Sequence, residues 1–346
     1  SGGEAQRIRL ATQVGTRLVG ALYVLDEPSI GLHQRDIDRL LKSLDRLRNL
    51  GNTVIVIEHD EKTIRHANHI IDIGPGAGEQ GGQIIISGSL SDVVKCKDSP
   101  TGRMLRGQIT GNRVKMIPRI QEADLTIMGA RENNLKDLTV SIPVGAFTAV
   151  SGVSGSGKST LIDNILRKSL RRTLHGALDI PGEHDAIDGT EHVDKIVVVN
   201  QAPIGRTARS TPATYTGTFA EIRALYSRLP ESRMLGFGIR RFSFNEGPGK
   251  CTVCRGEGQQ RISMQFLADV EIQCEVCEGK RYNSQTLRVK HRGKNIADVL
   301  AMTVDEALEH FTNVPKVKRS LQVLSDVGLG YIRLGQSART LSGGEA

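Results

Sequence analysis

Two motifs follow each other along this chain in an order that restricts how it can fold. An apolar segment ending in two acids, Leu22–Glu27, comes first, and the glycine-rich segment Gly152–Ser159 comes second. A single domain that uses both motifs ordinarily carries them in the opposite order. The pentapeptide SGGEA also stands at 1–5 and again at 342–346. The simplest explanation is a window on a tandem duplication, from late in one unit to late in the next.

Length and composition indicate a protein with room for more than one hydrophobic core. A chain of 346 residues allows about two or three domains. No apolar run approaches the roughly 18 to 20 residues of a membrane span, and Ser1–Arg9 lacks the apolar stretch of a secretion signal. We therefore expect a cytoplasmic protein without a membrane partner. The lack of an initiator Met fits a fragment.

Alternating apolar strands and amphipathic helices predict an α/β fold with a parallel sheet. A helix over His33–Leu50 is indicated by apolar residues at helical spacing. In residues 1–96 the predicted elements are a helix over Gln6–Val19, buried strands at Ala21–Asp26 and Asn52–Glu58, further strands at His69–Ile73 and Gln83–Ser87, and a helix near Leu90–Lys95.

A polar stretch without clear periodicity, residues 97–122, is predicted to be a linker that contains Pro100 and Pro118. A second α/β segment is expected over 123–205. The region 206–346 is less regular. The elements predicted after the linker are strands at Leu125–Gly129, Leu138–Ile142, Ala146–Ser151 and Lys195–Asn200, and helices over Lys158 to about Leu174, Val304–Phe311 and Val317–Asp326.

The glycine-rich segment Gly152–Ser159 matches the phosphate-binding pattern G-x-x-x-x-G-K-[ST] fully and lies between a predicted strand and a predicted helix. Backbone N–H groups of such a loop surround phosphates, and the helix N-terminus favours their charge. Lys158 would contact the β- and γ-phosphates, and Ser159 would bind Mg²⁺. The predicted nucleotide contacts in this segment are Gly152, Gly155, Gly157, Lys158, Ser159 and Thr160.

The acidic end of the first apolar strand is the second candidate site. Asp26 would hold Mg²⁺, and Glu27 would orient or deprotonate an attacking water. His59 ends the next predicted strand and could contact a γ-phosphate. An isolated acid pair or histidine is more often structural, but the conjunction at neighbouring strand ends favours a catalytic role for Glu27 and His59.

These segments together resemble ABC-type ATPases, through SGGEAQR, LDEPSIGL and GVSGSGKST. In that family a Leu-Ser-Gly-Gly signature of one nucleotide domain faces the γ-phosphate held by the other domain of a head-to-tail dimer. The resemblance makes Ser29–Leu32 a D-loop and Gln201 a Q-loop residue that senses Mg²⁺ and the γ-phosphate. The nucleotide contacts implied for the two signatures are Ser1, Gly2, Gly3, Ser342, Gly343 and Gly344.

Four of the five cysteines form two C-x-x-C pairs, Cys251 with Cys254 and Cys274 with Cys277. Their spacing fits a closed structural Zn²⁺ site with four thiolate ligands. Disulfides are the alternative and are rare in cytosolic proteins. The segment between the pairs has strand-like runs at Gln260–Phe266 and Val270–Ile272. We expect a β-hairpin clipped at its base by the metal within a zinc module at 251–277, which either contacts DNA or only stabilises the fold.

The stretch 201–261 carries most of the net positive charge, with ten Lys and Arg against four Asp and Glu. It also holds six of the twelve Phe and Tyr residues of the chain. Basic residues interleaved with aromatics suit a nucleic-acid surface, and a solvated face over a small core is an equally good explanation. The predicted DNA contacts are Arg206, Arg209, Arg240 and Arg241.

An ABC nucleotide domain with a four-cysteine module inserted before its signature resembles the UvrA family of bacterial nucleotide excision repair. The segments IGRTARSTPATYTG, GKRYNSQTL and YIRLGQSARTLSGGEA carry this resemblance, which covers essentially the whole chain. It implies a tandem ATPase that forms a homodimer, binds damaged double-stranded DNA, loads UvrB, and uses ATP with Mg²⁺ and Zn²⁺. The family's UvrB-contacting insertion precedes the first signature, so we expect it outside this chain.

The resemblance also implies that both nucleotide sites are incomplete. Residues 1–96 would be the end of the first nucleotide domain, 123–205 the start of the second, and 206–346 the second signature domain. One site would pair Lys158 with the signature at 1–4, and the other would pair Glu27 with the signature at 342–345. We expect no ATP hydrolysis by this chain alone. A circular arrangement, in which 1–96 completes the sheet of 123–205, would instead place Glu27 beside Lys158.

Two alternatives remain open at this point. The chain could come from a UvrA-like paralogue that acts in drug self-resistance or in transport coupling. It could also be a zinc-containing DNA-binding module without enzymatic activity. The presence of the UvrB-contacting insertion in the full gene would argue against the first alternative, and ATP hydrolysis by the full-length protein would argue against the second.

Overall fold

The computed structural model describes residues 19–78, 81–108, 123–199, 204–205, 207–262, 264, 270–342 and 344–345. The described residues form two compact units, unit 1 within 1–75 and 82–198 and unit 2 within 76–81 and 199–346. The boundaries predicted from the sequence at 96/97, 122/123 and 205/206 stay predictions. In the described part of the chain, no helix combines the length and the apolar character that crossing a membrane requires. The predictions that fall outside the described residues are most of the helix at Gln6–Val19, the first signature at Ser1, Gly2 and Gly3, and Gln201, Arg206 and Gly343.

Unit 1 begins with a parallel pair of strands covered by one helix. Strand β1 (Leu22–Asp26) pairs with β2 (Thr53–Ile57), and helix α1 (Gln34–Asn49) connects them. Leu40, Leu44 and Leu47 of α1 are buried against one face of the pair. The opposite face is open, with Leu22 60% and Val24 62% exposed. The strands were correctly predicted, but the prediction that they are buried is right for one face only.

The next part of unit 1 is antiparallel. Strand β3 (Ile70–Gly74) pairs with β4 (Gln83–Gly88), and helices α2 (Glu61–His66), α3 (Leu90–Lys95) and α4 (Pro100–Leu105) accompany them. Helix α4 lies in the stretch that we predicted as a linker. The hydroxyl oxygen of Ser99 caps this helix by accepting the backbone N–H of Gly102, and Pro100 occupies the first turn, where proline favours a helix.

The segment with the phosphate-binding loop (Gly152–Ser159) has a small antiparallel sheet. Strand β5 (Asp124–Ala130) lies between β6 (Leu138–Pro143) and β7 (Ala186–Asp188). A π-helix (Thr160–Arg167) continues into α5 (Lys168–His175). Buried residues of the strand and the helix share one core, which consists of Ile127, Ala130, Leu135, Leu161 and Ile165.

Two predicted strands in this segment are wrong in the described residues, and the sheet that does form here is antiparallel. Residues 147–151 and 195–199 run without a strand partner. Phe147 is 100% and Val199 92% exposed. An apolar strand of a parallel sheet is stable only when neighbouring strands pair with it and cover its faces. Among the described residues, β1 with β2 is the parallel ladder.

Unit 2 combines short helices, a β-hairpin and a continuous apolar core. Strands β8 (Gln259–Ile262) and β9 (Val270–Gln273) are antiparallel, which confirms the predicted hairpin. The large buried side chains in the core of unit 2 include Tyr226, Phe242, Phe244, Tyr282 and Phe311. The helices are α6 (Pro212–Tyr215), α7 (Thr218–Arg228), α8 (Pro230–Met234), α9 (Ser284–Arg288), α10 (Ile296–Ala301), α11 (Val304–His310) and α12 (Pro315–Asp326). The last two confirm the helices predicted there.

Candidate functional site

The phosphate-binding loop has backbone geometry that glycine allows. Gly152, Gly155 and Gly157 have φ angles of 149°, 79° and 103°, values at which a side chain causes strain. A Cβ at Gly157 would also lie 2.7 Å from Cδ2 of Leu135. The Nδ2 group of Asn134 donates to the carbonyl of Gly155 at 3.0 Å. The β5–β6 connection therefore supports the loop, and the spacing of the loop motif gave no signal for Asn134.

Lys158 lies folded over its own loop. Its Nζ donates to the carbonyl oxygens of Gly152 at 2.7 Å and Val153 at 2.9 Å. Ser159 precedes the π-helix with helical backbone angles, and the hydroxyl of Thr160 accepts a hydrogen bond from Asn133 Nδ2 at 3.4 Å. A phosphate in the loop would give the ammonium group a charged acceptor, which makes stronger hydrogen bonds than a carbonyl does.

A carboxylate contacts the same loop. Asp36, in the first turn of α1, is buried, and its Oδ2 accepts the backbone N–H of Ser154 at 3.4 Å. Both residues belong to unit 1. The prediction of site residues missed Asp36 because nothing in its spacing relates it to the loop. The contact brings a residue of the segment 1–96 and a residue of the segment 123–205 together in this unit.

The carboxyl ends of β1 and β2 bring two predicted catalytic residues together. His59 Nε2 lies 3.5 Å from Glu27 Oε1. Parallel neighbours end at the same edge of a sheet, which explains the proximity. Glu27 has a positive φ of 44°, and His59 is 81% exposed by its side chain. Asp26 is exposed. This arrangement leaves the side chains of Glu27 and His59 accessible to a ligand.

Glu58 organises this strand edge and was missed by the sequence prediction. Its Oε1 accepts the backbone N–H of Ser29 at 2.7 Å, and its Oε2 accepts the hydroxyl of Ser29 at 2.8 Å. Its Oε2 also accepts the backbone N–H of His59 at 3.1 Å. Glu58 thus fixes the start of the predicted D-loop (Ser29–Leu32) against the residue that we predicted to contact phosphate.

The second signature is held by its own glutamate. Glu345 accepts the backbone N–H of Ser342 at 2.7 Å and the hydroxyl of Tyr331 at 2.7 Å. The carboxylate of Glu345 raises the pKa of Tyr331 to about 12. Burial alone would raise the pKa of Glu345, but the hydrogen bonds from Tyr331 and Ser342 outweigh it and lower that pKa. Gly344 lies between these anchored residues, in a turn.

The four cysteines of the two pairs converge on one buried point. Their sulfur atoms all lie within 4.8 Å of one another, with 3.9 Å between Cys251 and Cys274 and 3.6 Å between Cys254 and Cys277. All are free thiols, because a disulfide requires about 2.05 Å. Four sulfurs at a zinc–sulfur distance of about 2.3 Å would be about 3.8 Å apart in a tetrahedron. The residues therefore fit a zinc ion.

The electrostatics of the cluster also suit a cation. The backbone N–H of Cys277 lowers the pKa of Cys274 to about 7. Burial raises the pKa of Cys277 to about 12 and also raises that of Cys254. Buried thiols with raised pKa values become thiolates when a metal ion compensates their charge. A bound Zn²⁺ would join the two C-x-x-C turns and close the base of the β8–β9 hairpin.

Many residues of the basic stretch 201–261 pack in the core of unit 2 or contact other protein groups. Four of its six aromatic residues lie in the core of unit 2, namely Phe219, Tyr226, Phe242 and Phe244. Arg209 pairs with Glu257 at 3.3 Å. Arg241 donates to Thr286 at 2.9 Å and lies over the ring of Phe237. Arg240 is exposed. The aromatic residues therefore support the explanation by a small core, and the DNA contacts stay predictions.

The chain has the features of a mixed α/β protein with a phosphate-binding loop and a four-cysteine cluster. No model of a known protein family matches it. It is 57% identical over 349 residues to UvrABC system protein A of Clostridium perfringens, which covers all of this chain and 37% of that relative. The Thermus thermophilus UvrABC system protein A is 56% identical over 352 residues, again over all of this chain and 36% of the relative.

The fold comparison agrees with these relatives. The crystal structure of UvrA2 from Deinococcus radiodurans superimposes with a TM-score of 0.92 at 45% identity, over all of this chain and 41% of that one. These matches confirm the predicted resemblance, since the similarity to UvrABC system protein A runs along all of this chain. It spans a little more than a third of the length of the UvrABC system protein A relatives it matches.

Proposed function

We propose that the full-length protein carrying this sequence is a DNA-damage-recognising ATPase of nucleotide excision repair. The observation that carries the proposal is the conjunction, along a sequence 57% identical to a UvrABC system protein A, of a phosphate-binding loop and a buried four-cysteine cluster. The loop supplies a nucleotide site. The cluster supplies a rigid base for a hairpin with exposed strands.

ATP and Mg²⁺ are the proposed ligands of the loop. Its glycines turn backbone N–H groups toward phosphates, Lys158 exchanges its carbonyl partners for phosphate oxygens, and Ser159 holds the metal together with Gln201. Glu27 activates water at the other site, where Asp26 holds Mg²⁺ and His59 contacts the γ-phosphate. Each site is completed by a signature, at 1–4 for the loop and at 342–345 for Glu27.

Damaged double-stranded DNA, UvrB and a second copy of the full-length protein are the proposed partners. Unit 2 carries the proposed DNA surface because the basic stretch lies in it. Arg240 is the best placed of the predicted contacts, since it is exposed, whereas Arg209 and Arg241 already have protein partners. Binding through phosphate contacts is expected to weaken strongly as salt rises.

The chain by itself is proposed not to hydrolyse ATP, because each nucleotide site takes its remaining parts from outside it. The circular arrangement would bring the segments 1–96 and 123–205 together, and the contact between Asp36 and Ser154 joins these two segments. This arrangement can be tested directly. ATP hydrolysis by this chain that Glu27→Gln abolishes would establish that arrangement. No hydrolysis, or hydrolysis that Glu27→Gln leaves unchanged, would count against it.

A UvrA-like paralogue is the second candidate, since the superimposed solved structure is a UvrA2. The proposed repair function is tested on the full-length protein with duplexes that differ by one lesion. We expect lesion-bearing DNA to change the ATPase rate or the DNA affinity relative to the undamaged duplex. Equal rates and equal affinities for the two duplexes would refute the repair function and favour the paralogue.

A further inference from the structure

The residues that lead into the second signature, 333–341, form a pre-signature segment that is anchored in the helical part of unit 2. Backbone N–H groups of Leu334 and Gly335 donate to the carbonyls of Met302 at 3.0 Å and Leu300 at 2.7 Å. Farther along, the N–H of Ala338 donates to the carbonyl of Ser210 at 2.8 Å. The segment therefore has fixed points on both sides of its middle.

Two arginines link the same segment to the zinc module and its flank. Arg339 Nη2 donates to Glu271 Oε1 of strand β9 at 2.5 Å. Arg281, which follows the last cysteine pair, donates through Nη2 to the carbonyl of Gly335 at 3.1 Å. The backbone carbonyl of Arg281 accepts the N–H of Cys251 at 2.9 Å. The cysteine cluster is thus connected to residues immediately before the signature.

The link between Arg281 and Gly335 borders an open space. A cavity of about 490 Å³ separates the flank of the zinc module from α10 and the pre-signature segment, and its lining includes Gly279, Arg281, Ala301, Gly335 and Thr340. Arg281 and Gly335 border this space, and the Arg339–Glu271 pair is a second polar link between the hairpin and the pre-signature segment.

The two contacts differ in exposure. Arg281 is held further by the ring of Phe244, 4.8 Å from its guanidinium carbon, so that link is built into the core. Arg339 and Glu271 have side chains 38% and 35% exposed. The Arg339–Glu271 pair is therefore more exposed than the part-buried link that Arg281 makes to Gly335.

We propose that Arg339 and Glu271 are positioning residues that couple the zinc-anchored hairpin to the second signature. A ligand that displaces β9 moves Arg339, and with it the start of the signature, whose Ser342 and Glu345 are held together. This coupling rests on the proposed function and deepens it, because it supplies a route from DNA at the hairpin to nucleotide at the signature.

The test uses the full-length protein and measures ATPase kcat and KM with and without lesion-bearing duplex. Arg339→Gln and Glu271→Gln are expected to leave basal kcat and KM within about twofold of wild type while abolishing most of the response to DNA. The charge-exchanged double variant, Arg339→Glu with Glu271→Arg, is expected to restore the response. Arg319→Gln, an exposed arginine on α12, is the matched control with an unchanged response.

The outcomes separate this inference from the proposed function. A wild-type protein that does not respond to DNA refutes the function. A wild-type response that survives Arg339→Gln, or one that the charge exchange fails to restore, refutes the coupling alone. Hydrogen exchange on this chain gives a second measurement: Arg339→Gln should speed exchange at 338–342 and leave α12 unchanged. Equal exchange at 338–342 in both proteins would also overturn the coupling.

Discussion

Units 1 and 2 are built from the same kinds of residues but differ in how completely they are packed. Unit 2 has one continuous core of buried aromatic and aliphatic side chains and a cysteine cluster beside it. The described residues of unit 1 form three separate small cores, and apolar side chains such as Val24 and Ile55 lie on an open sheet face. The main core of unit 2 is therefore larger and more continuous than any core of the described part of unit 1.

The difference shows what the two kinds of elements require. The helices of unit 2 satisfy their backbone groups internally and bury one face each, so neighbouring residues suffice. The strands of unit 1 need partners on both edges and cover on both faces. The phosphate-binding loop is formed in unit 1 nevertheless, because its turn is set by glycines and by contacts with Asn134 and Asp36.

Loss of the metal site should produce the largest effect and should be confined to unit 2. Cys274→Ser removes one of four ligands and leaves buried thiols without charge compensation, so we expect a loss on the order of 5 kcal/mol or more in metal-dependent stability. The zinc content of the protein and its hydrogen exchange measure this loss of stability. Cys96→Ser is the control variant. Equal zinc content in the two variants, or exchange that rises equally in unit 1, would contradict this prediction.

A matched aromatic substitution compares the packing of the units directly. Phe242→Ala in unit 2 empties a fully buried site, and we expect about 3–5 kcal/mol of destabilisation. Phe147→Ala in unit 1 changes a fully exposed side chain, and we expect about 0.5 kcal/mol or less. Denaturant titration of both variants gives the values. A cost above about 2 kcal/mol at Phe147 would mean that unit 1 is packed more completely in solution.

Acid should weaken unit 2 through a pair of histidines. His291 Nδ1 lies 3.2 Å from His310 Nε2. Burial lowers the pKa of both, and Arg292 lowers them further; Lys294 also acts on His310. Tyr226 and Phe311 pack against the His291 ring.

For a lowered histidine pKa the unfolded state binds protons more readily, so stability rises with pH and is lost as pH falls below the ordinary value of about 6.5. Thermal unfolding between pH 5 and 8 should show this loss. His291→Gln with His310→Gln should flatten it, and an unchanged slope in that variant would contradict the assignment.

Features that depend on local spacing were predicted correctly more often than features that depend on contacts between distant residues. The helices at α1, α11 and α12, the strand ends at Glu27 and His59, and the cysteine hairpin follow from spacing along the chain. The missing strands near Phe147 and Val197 could not be foreseen, because strand formation depends on partners that spacing does not reveal. Glu58, Asn134 and Asp36 were missed for the same reason, since their roles depend on contacts between distant residues.

The most direct test of the account is nucleotide binding at the phosphate-binding loop. Titration of this chain with a fluorescent ATP analogue and Mg²⁺ should show saturable binding, and Lys158→Ala should lower the affinity tenfold or more, about 1.4 kcal/mol. Lys136→Ala, an exposed lysine in the same unit, should bind as the wild type does. Equal affinity in the Lys158→Ala and wild-type proteins, or no binding by the wild type, would contradict the assignment of this loop as a nucleotide site.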